Sequence, residues 1–161
     1  MTVTSSIKSP EALTLAITAE FTAAVERVWQ IWEDPRQLER WWGPPSYPAT
    51  FEAFDFQPDG LASYFMTSPD GTKPRGWWKF TAITAPSLLE LDDGFADDNG
   101  DPITDMGTAH MVVSLAELDG RTLMTITTTF ESTEQMEQMV AMGMEEGMRD
   151  AMGQIDAILT E

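Results

Sequence analysis

The last part of the chain, residues 132–159, has the sequence STEQMEQMVAMGMEEGMRDAMGQIDAIL. Ser132 and Gln135 have the spacing of a capping box, which marks the start of a helix. From Met136 to Leu159 apolar residues then recur every three or four positions, the pattern of an amphipathic helix. The segment therefore predicts one long terminal helix, about Thr133 to Leu159, whose apolar face has to cover a sheet.

The preceding chain supplies strands for that sheet. Residues 13–21 alternate apolar with polar or small side chains, which is typical of a strand with one buried face. Residues 49–130 contain turn signals at PDG (58–60), PDG (69–71), PS (86–87) and DG (119–120), separating runs rich in Phe, Trp, Val, Thr and Leu. The spacing of these turn signals predicts six more antiparallel strands, or about seven strands in all.

Residues 22–43 predict two short helices after the first strand. We expect Thr22 to cap the first helix, and Asp34-Pro35 to end it and begin the second, which stops at Gly43. The sequence therefore predicts an α+β fold.

The composition indicates one domain. The chain has 161 residues, of which 42% are hydrophobic and 10% aromatic, enough for a single core. We expect residues 1–11 to be a flexible N-terminal lead and residues 12–161 to form the domain. There is no cysteine, which removes disulfide and thiolate chemistry and fits a reducing compartment.

The charge and the N-terminal sequence limit the partners. Asp and Glu number 27 against nine Lys and Arg, giving a net charge of -18. Such a surface repels nucleic acid and anionic membranes. The first residues lack the features of a signal peptide, and no apolar run approaches the roughly 18 residues that a membrane span needs. We therefore expect a cytoplasmic protein that binds neither nucleic acid nor membrane.

Several separated motifs resemble a known family. They are VW (28–29), DP (34–35), WWGP (41–44), PDG (69–71), RGWW (75–78), DGFAD (93–97) and MGMEEGM (142–148). From about residue 12 to the end, the chain resembles homologues of the heat-shock chaperone ATPase activator, in a bacterial branch of the SRPBCC superfamily. The resemblance implies the helix-grip fold of START and birch-pollen-allergen proteins: a curved antiparallel sheet around the C-terminal helix, with a cavity for ligands. One departure is that Gln57, Asp59 and Gly60 stand where the family commonly has an arginine and two glycines.

The faces of the predicted elements give candidate ligand-binding residues. Strand alternation and helical spacing direct aromatic and methionine side chains toward the space between sheet and helix. The candidates are Trp42, Tyr64, Met66, Trp78, Phe80, Leu91, Met111, Val113, Met139, Gly143 and Met144. Gly143 and Gly147 either permit close packing or leave volume for a ligand. The alternative to an open cavity is a collapsed core that holds no ligand.

Catalytic and metal sites have weak support. His110, the only histidine, has the parity of the outer sheet face, which favours a structural role over a catalytic one. The acidic stretch from Asp92 to Asp105 is expected to be a long loop, and it fails the pattern of a calcium-binding loop at both ends. No metal or cofactor is expected.

Three functions remain open on the sequence alone. The favoured one is non-enzymatic binding of a small hydrophobic or aromatic molecule. The second is a cyclase- or hydrolase-like enzyme that uses a pocket carboxylate such as Glu52 or Asp55 as general base. The third is a protein-interaction module of the chaperone-regulator type. Phe65 and Trp77, expected opposite each other on the outer face, are either a homodimer patch or two ordinary exposed aromatics.

Overall fold

A computed structural model describes residues 2–103, 105 and 107–161, without the side chain of Thr2. Nine strands and five helices occur in this part of the chain. The strands are β1 (Thr2–Ser9), β2 (Thr14–Phe21), β3 (Ala49–Phe54), β4 (Leu61–Met66), β5 (Arg75–Thr84), β6 (Leu88–Ala96), β7 (Pro102–Ile103), β8 (Ala109–Leu118) and β9 (Arg121–Thr129). The helices are α1 (Val25–Glu33), α2 (Pro35–Leu38), α3 (Thr133–Ala141), α4 (Met144–Met152) and α5 (Ile155–Leu159).

The strands form one antiparallel sheet in the order β1-β2-β9-β8-β6-β5-β4-β3, with β7 paired to β6. The sheet is curved and the C-terminal helical region packs on it, so the predicted α+β helix-grip fold is confirmed. The predicted strand number was too low because β1 and β7 were not foreseen. The short β7 turns back on the end of β6 within the segment that was predicted to be a loop.

The N-terminal segment differs from the prediction. Thr2–Ser9 pairs with Thr14–Phe21 along nearly its whole length, so residues 2–9 form an edge strand where a flexible lead was expected; Met1 lies outside the described residues. Backbone pairing is aided by side chains, because Glu145 of α4 binds both Ser6 and Lys8. No side chain of residues 3–9 is buried, so this segment has no apolar alternation that would predict a strand.

The buried side of the sheet follows the predicted alternation. Leu15, Ile17, Ala19 and Phe21 of β2 are buried, and so are the apolar positions of the central strands. α1 and α2 pack on this side with the buried residues Val28, Trp29, Ile31, Trp32 and Leu38. Asp34 caps α2 by accepting a hydrogen bond from the Arg36 N–H, as predicted. The predicted cap by Thr22 was wrong, because α1 begins after Ala24 and has no side-chain cap.

The terminal helical region consists of three segments, so the prediction of one uninterrupted helix was wrong. Ser132 does cap α3, since its hydroxyl accepts a hydrogen bond from the Gln135 N–H at 3.0 Å. Between α3 and α4, Gly143 has φ 87°, a left-handed conformation that interrupts the helix and favours glycine. None of the helices in the described residues is long and apolar enough to cross a membrane.

Candidate ligand-binding site

A semi-enclosed cavity of about 250 Å³ lies between the sheet and the helices α3 and α4. β4, β6 and β8 supply its sheet side, and the segments around Trp42, Gly107 and Phe130 complete the wall. The lining residues are Trp42, Pro44, Tyr64, Met66, Asp93, Gly94, Phe95, Gly107, Ala109, Phe130, Gln135, Met139, Met142, Gly143, Met144, Gly147 and Met148.

The structure brings six of the eleven candidate ligand-binding residues to this cavity. They are Trp42, Tyr64, Met66, Met139, Gly143 and Met144. The other five do not line it, although all of them are fully buried on the inner face of the sheet: Trp78, Phe80, Leu91, Met111 and Val113. Those five lie in the closed part of the core. Trp78 packs against Trp32 of α1 and Phe80 against Phe56, so other side chains fill the space in front of them.

Methionine supplies much of the cavity wall. Five lining residues are methionines: Met66, Met139, Met142, Met144 and Met148. Met142 is 60% exposed and lies at the mouth. Methionine is unbranched and polarisable, so such a wall can adapt to guests of different shape.

The two glycines that line the helical side have different roles. A Cβ atom on Gly147 would meet no heavy atom within 4 Å, so this glycine borders open space and is not there for close packing. Gly143 also has no close neighbour, but its positive φ is the feature that requires glycine. For both residues the close-packing interpretation is therefore wrong.

The inner end of the cavity is polar. There the Tyr64 hydroxyl donates a hydrogen bond to Asp93 Oδ1 at 3.2 Å. Gly76, directly across from Tyr64 in the sheet, makes this placement possible, because a Cβ atom at Gly76 would lie 2.4 Å from the tyrosine oxygen. Trp42 packs edge-on against Tyr64, with ring centroids 6.4 Å apart. We call Trp42, Tyr64 and Asp93 the polar end.

Burial changes the acid–base properties of both ionisable groups at the polar end. It raises the pKa of Asp93 from 3.8 to about 7, although the hydrogen bond from Tyr64, the nearby Trp78 indole N–H and the Gly94 backbone N–H favour the charged form. Burial, followed by the negative charge of Asp93, also raises the pKa of Tyr64 well above its ordinary value of 10.0. Near neutral pH the carboxyl of Asp93 can therefore take up or release a proton inside a mainly apolar cavity.

The carboxylates proposed from the sequence lie elsewhere. Glu52 and Asp55 are exposed and do not line the cavity; Glu52 pairs with Arg75, and Asp55 accepts a hydrogen bond from Gln57. The cavity carboxylate is Asp93, which was assigned to a loop beginning at Asp92. β6 continues to Ala96, and alternation from the buried Leu89 and Leu91 would have placed Asp93 on the inner face.

His110 lies away from the cavity, on the outer face of the sheet, as its parity predicted. It is partly rather than fully exposed because its Nδ1 is 2.8 Å from Asp92 Oδ1 and its Nε2 is 3.1 Å from Glu90 Oε1. The hydrogen bond to Asp92 is the main reason that the pKa of His110 is raised above 6.5. Within residues 2–103, 105 and 107–161, no group of three or more His, Asp or Glu side chains is placed to hold a metal ion.

The two outer-face aromatics are not opposite each other. Phe65 pairs with Arg75 and Trp77 with Ser63, so the predicted cross-strand pair was wrong by two residues of register. Lys73 Nζ and the Arg75 guanidinium lie 5.1 Å and 5.2 Å from the centre of the Phe65 ring. Trp77 lies over Gly94. A homodimer through these residues stays a prediction.

Comparison with known proteins gives a clear family match. The family model described as Activator of Hsp90 ATPase homolog 1-like protein matches residues 22–160. No curated protein matches the chain.

Solved bacterial structures are similar over nearly the whole length. A solution structure from Arthrobacter aurescens is 62% identical, covers 99% of this chain and 92% of its own, and has a TM-score of 0.95. The crystal structure of Ms6760 from Mycobacterium smegmatis is 47% identical, with coverage of 98% and 97% and a TM-score of 0.91. An AHSA1 protein from Silicibacter pomeroyi is 20% identical, with coverage of 91% and 97% and a TM-score of 0.72, and so shares the fold.

Proposed function

Since the chain belongs to the family of Activator of Hsp90 ATPase homolog 1-like proteins, in the SRPBCC superfamily, we propose that it binds a small, mainly apolar molecule in the cavity. Members of this family bind hydrophobic ligands. The ligand occupies the space between the sheet and the helices α3 and α4 in this proposal.

One observation carries the proposal: Gly147 faces open space inside a wall of flexible methionines. A helix that served only to close the core would be expected to carry a larger apolar residue there, because protein interiors are close-packed. The volume of about 250 Å³ also suits a ligand. A dry apolar cavity of roughly 150 Å³ is known to hold benzene, so this cavity has room for about two fused rings.

Titration with N-phenyl-1-naphthylamine, a fluorescent and uncharged dye, tests the proposal; its naphthalene matches the cavity volume, and its phenyl group can extend through the open side of the cavity. An uncharged probe is needed because the net charge of -18 repels anions. We expect saturable binding to the folded protein. Gly147→Leu should weaken binding of the dye roughly 10- to 100-fold. The leucine side chain occupies part of the cavity, so a bound dye would have to overpack the remaining space.

Gly147→Leu is a cleaner change than Gly143→Leu, because only Gly143 has the left-handed backbone that strains a larger residue. The matched control is Ala157→Leu, which adds a side chain to an exposed position of α5 outside the cavity. Circular dichroism verifies that each variant is folded. If folded Gly147→Leu binds the dye as well as the original protein, the cavity is not the binding site.

A second function, catalysis by proton transfer, is favoured by one observation: Asp93 is a cavity carboxylate whose pKa is raised to about 7. A general base or acid works best when its pKa is near the operating pH. Native mass spectrometry of protein from its own host would reveal a retained molecule. Conversion of that molecule by the protein, and not by Asp93→Asn, would establish catalysis. Recovery of the unchanged molecule from both would leave binding as the function.

A third hypothesis, regulation of a chaperone through protein contacts, comes from the family description alone. It predicts a stable complex with a chaperone whose ATPase rate changes on binding.

A further inference from the structure

The polar end of the cavity contains hydrogen-bond donors that the protein does not use. The indole Nε1 atoms of Trp42, Trp77 and Trp78 are buried and, among the described residues, have no hydrogen-bond partner; Trp77 lies on the outer face of the sheet, and the other two lie at or behind the cavity. A buried donor without a partner costs roughly 1 to 3 kcal/mol, so such groups are rare and call for an explanation. Trp42 lines the cavity, whereas Trp78 lies behind it in the core.

These donors converge on one place. The Trp42 and Trp78 rings pack edge to face, with centroids 4.8 Å apart, and both contact Tyr64. Trp78 is also directly across from Asp93 in the sheet. The two indoles lie close enough to the Tyr64 hydroxyl to lower its pKa, which opposes the rise caused by burial. Neither indole N–H completes a hydrogen bond to it.

The hydrogen bond between Tyr64 and Asp93 leaves the two indole donors unpaired. The Tyr64 hydroxyl donates its hydrogen bond to Asp93 Oδ1. The Trp42 Nε1 is closed off from the cavity, so a small rotation of the Trp42 ring is needed to turn its N–H to a guest. A guest with an oxygen acceptor would then complete the set, because the oxygen can accept from this N–H while the apolar part of the guest contacts Met139, Met144 and Met148.

We propose that the ligand is an apolar molecule with one uncharged carbonyl oxygen, which enters first and accepts a hydrogen bond from the Trp42 Nε1–H. This inference rests on the proposed binding function and adds the chemical class of the ligand. A carboxylate is disfavoured because Asp93 and the net charge of -18 repel it. An amine is disfavoured because it brings another donor to a site that already has too many.

Four naphthalenes with the same ring system and comparable substituents test the proposal: 2-acetylnaphthalene, 2-ethylnaphthalene, 2-naphthoate and 2-naphthylmethylammonium. Isothermal titration or dye displacement at pH 8, where the Asp93 carboxyl is mainly ionised, gives their Kd values. The ketone should bind about 3- to 10-fold more tightly than the ethyl compound, because this is the gain in affinity that one net hydrogen bond provides. Both ions should bind more weakly than the ketone.

Trp42→Phe supplies the decisive variant, since it removes the N–H and keeps an aromatic ring. A carbonyl that enters an apolar site without a donor loses its hydrogen bonds to water, so in this variant the ketone should bind more weakly than the ethyl compound. Trp29→Phe is the matched control. It removes an indole whose N–H bonds Glu33 at 2.7 Å outside the cavity, and it should leave the preference for the ketone unchanged.

The outcomes separate this inference from the function on which it rests. If neither neutral naphthalene binds the original protein, the proposed function is wrong. If both bind and the ethyl compound binds as tightly or more tightly, the cavity binds apolar molecules and the carbonyl inference is wrong. Tightest binding of the ammonium compound would also overturn it, because the polar end would then be a cation site built from Asp93 and its aromatic neighbours. These comparisons on the original protein hold even if Trp42→Phe fails to fold.

Discussion

Replacing Asp93 by Asn is expected to stabilise the protein at pH 8. Burial raises the pKa of this carboxyl from 3.8 to about 7. One pKa unit corresponds to about 1.4 kcal/mol, so the ionised side chain lowers the free energy of unfolding by at most about 4 kcal/mol. Asp93 is not completely shielded from water, which reduces this cost. We therefore expect Asp93→Asn to add about 2 to 4 kcal/mol.

The effect has a defined pH dependence. The unfolded chain releases the Asp93 proton near pH 3.8 and the folded chain near pH 7. Between these values the folded state binds more protons, so the contribution of Asp93 to stability is full below about pH 4 and is lost as the pH rises through 7. Asn cannot ionise and can still accept the hydrogen bond from Tyr64. The two proteins should therefore be equally stable near pH 4 and diverge up to pH 7.

Urea unfolding at pH 4, 6 and 8 measures this difference. The matched control is Asp98→Asn at an exposed position, which should change stability little at any of the three pH values. Equal stability of Asp93→Asn and the original protein at pH 8, or a less stable variant, would refute the reasoning. Either result would mean that the carboxylate is well solvated in the folded protein.

Two further predictions concern the core and the outer face. Trp78→Ala and Phe80→Ala should each lower the free energy of unfolding, measured in urea, by roughly 3 to 5 kcal/mol, because both rings are fully buried in contact with other aromatic rings. Losses under about 1 kcal/mol would contradict this packing. NMR titration of His110 should give a pKa above 6.5. Asp92→Asn should lower this pKa more than Glu90→Gln, because Asp92 makes the shorter hydrogen bond to the imidazole. An equal lowering by the two variants would contradict this prediction.

The fold was predictable where the sequence pattern is set by burial. The alternation of β2 and the spacing of the terminal helices both reflect one buried face, and both were found. The edge strand Thr2–Ser9 was missed because its pairing depends on backbone hydrogen bonds and on Glu145, which is far away in sequence. The interruption at Gly143 was missed because helical spacing continues across it, and a single left-handed residue does not disturb that pattern.

The candidate site was predictable in part. Alternation assigned Tyr64 and Met66 to the inner face, and helical spacing assigned Met139 and Met144 to the opposite wall. The same rules also selected Trp78 and Phe80, because periodicity shows which face a residue occupies but not whether another side chain covers it. Asp93 was missed because an acidic, glycine-bearing stretch resembles a loop, although it continues β6.

Stability alone does not explain the polar end of the cavity. An apolar residue in place of Asp93 would avoid the cost of ionisation inside the cavity, and a hydrogen-bond partner for Trp42 would avoid an unused donor. Both costs occur at the same end of one cavity, beside a tyrosine that Gly76 leaves room for. Residues that lower the stability of the folded protein are expected at functional sites. The coincidence of two such costs at the polar end therefore favours a site that binds a ligand over a cavity left by imperfect packing.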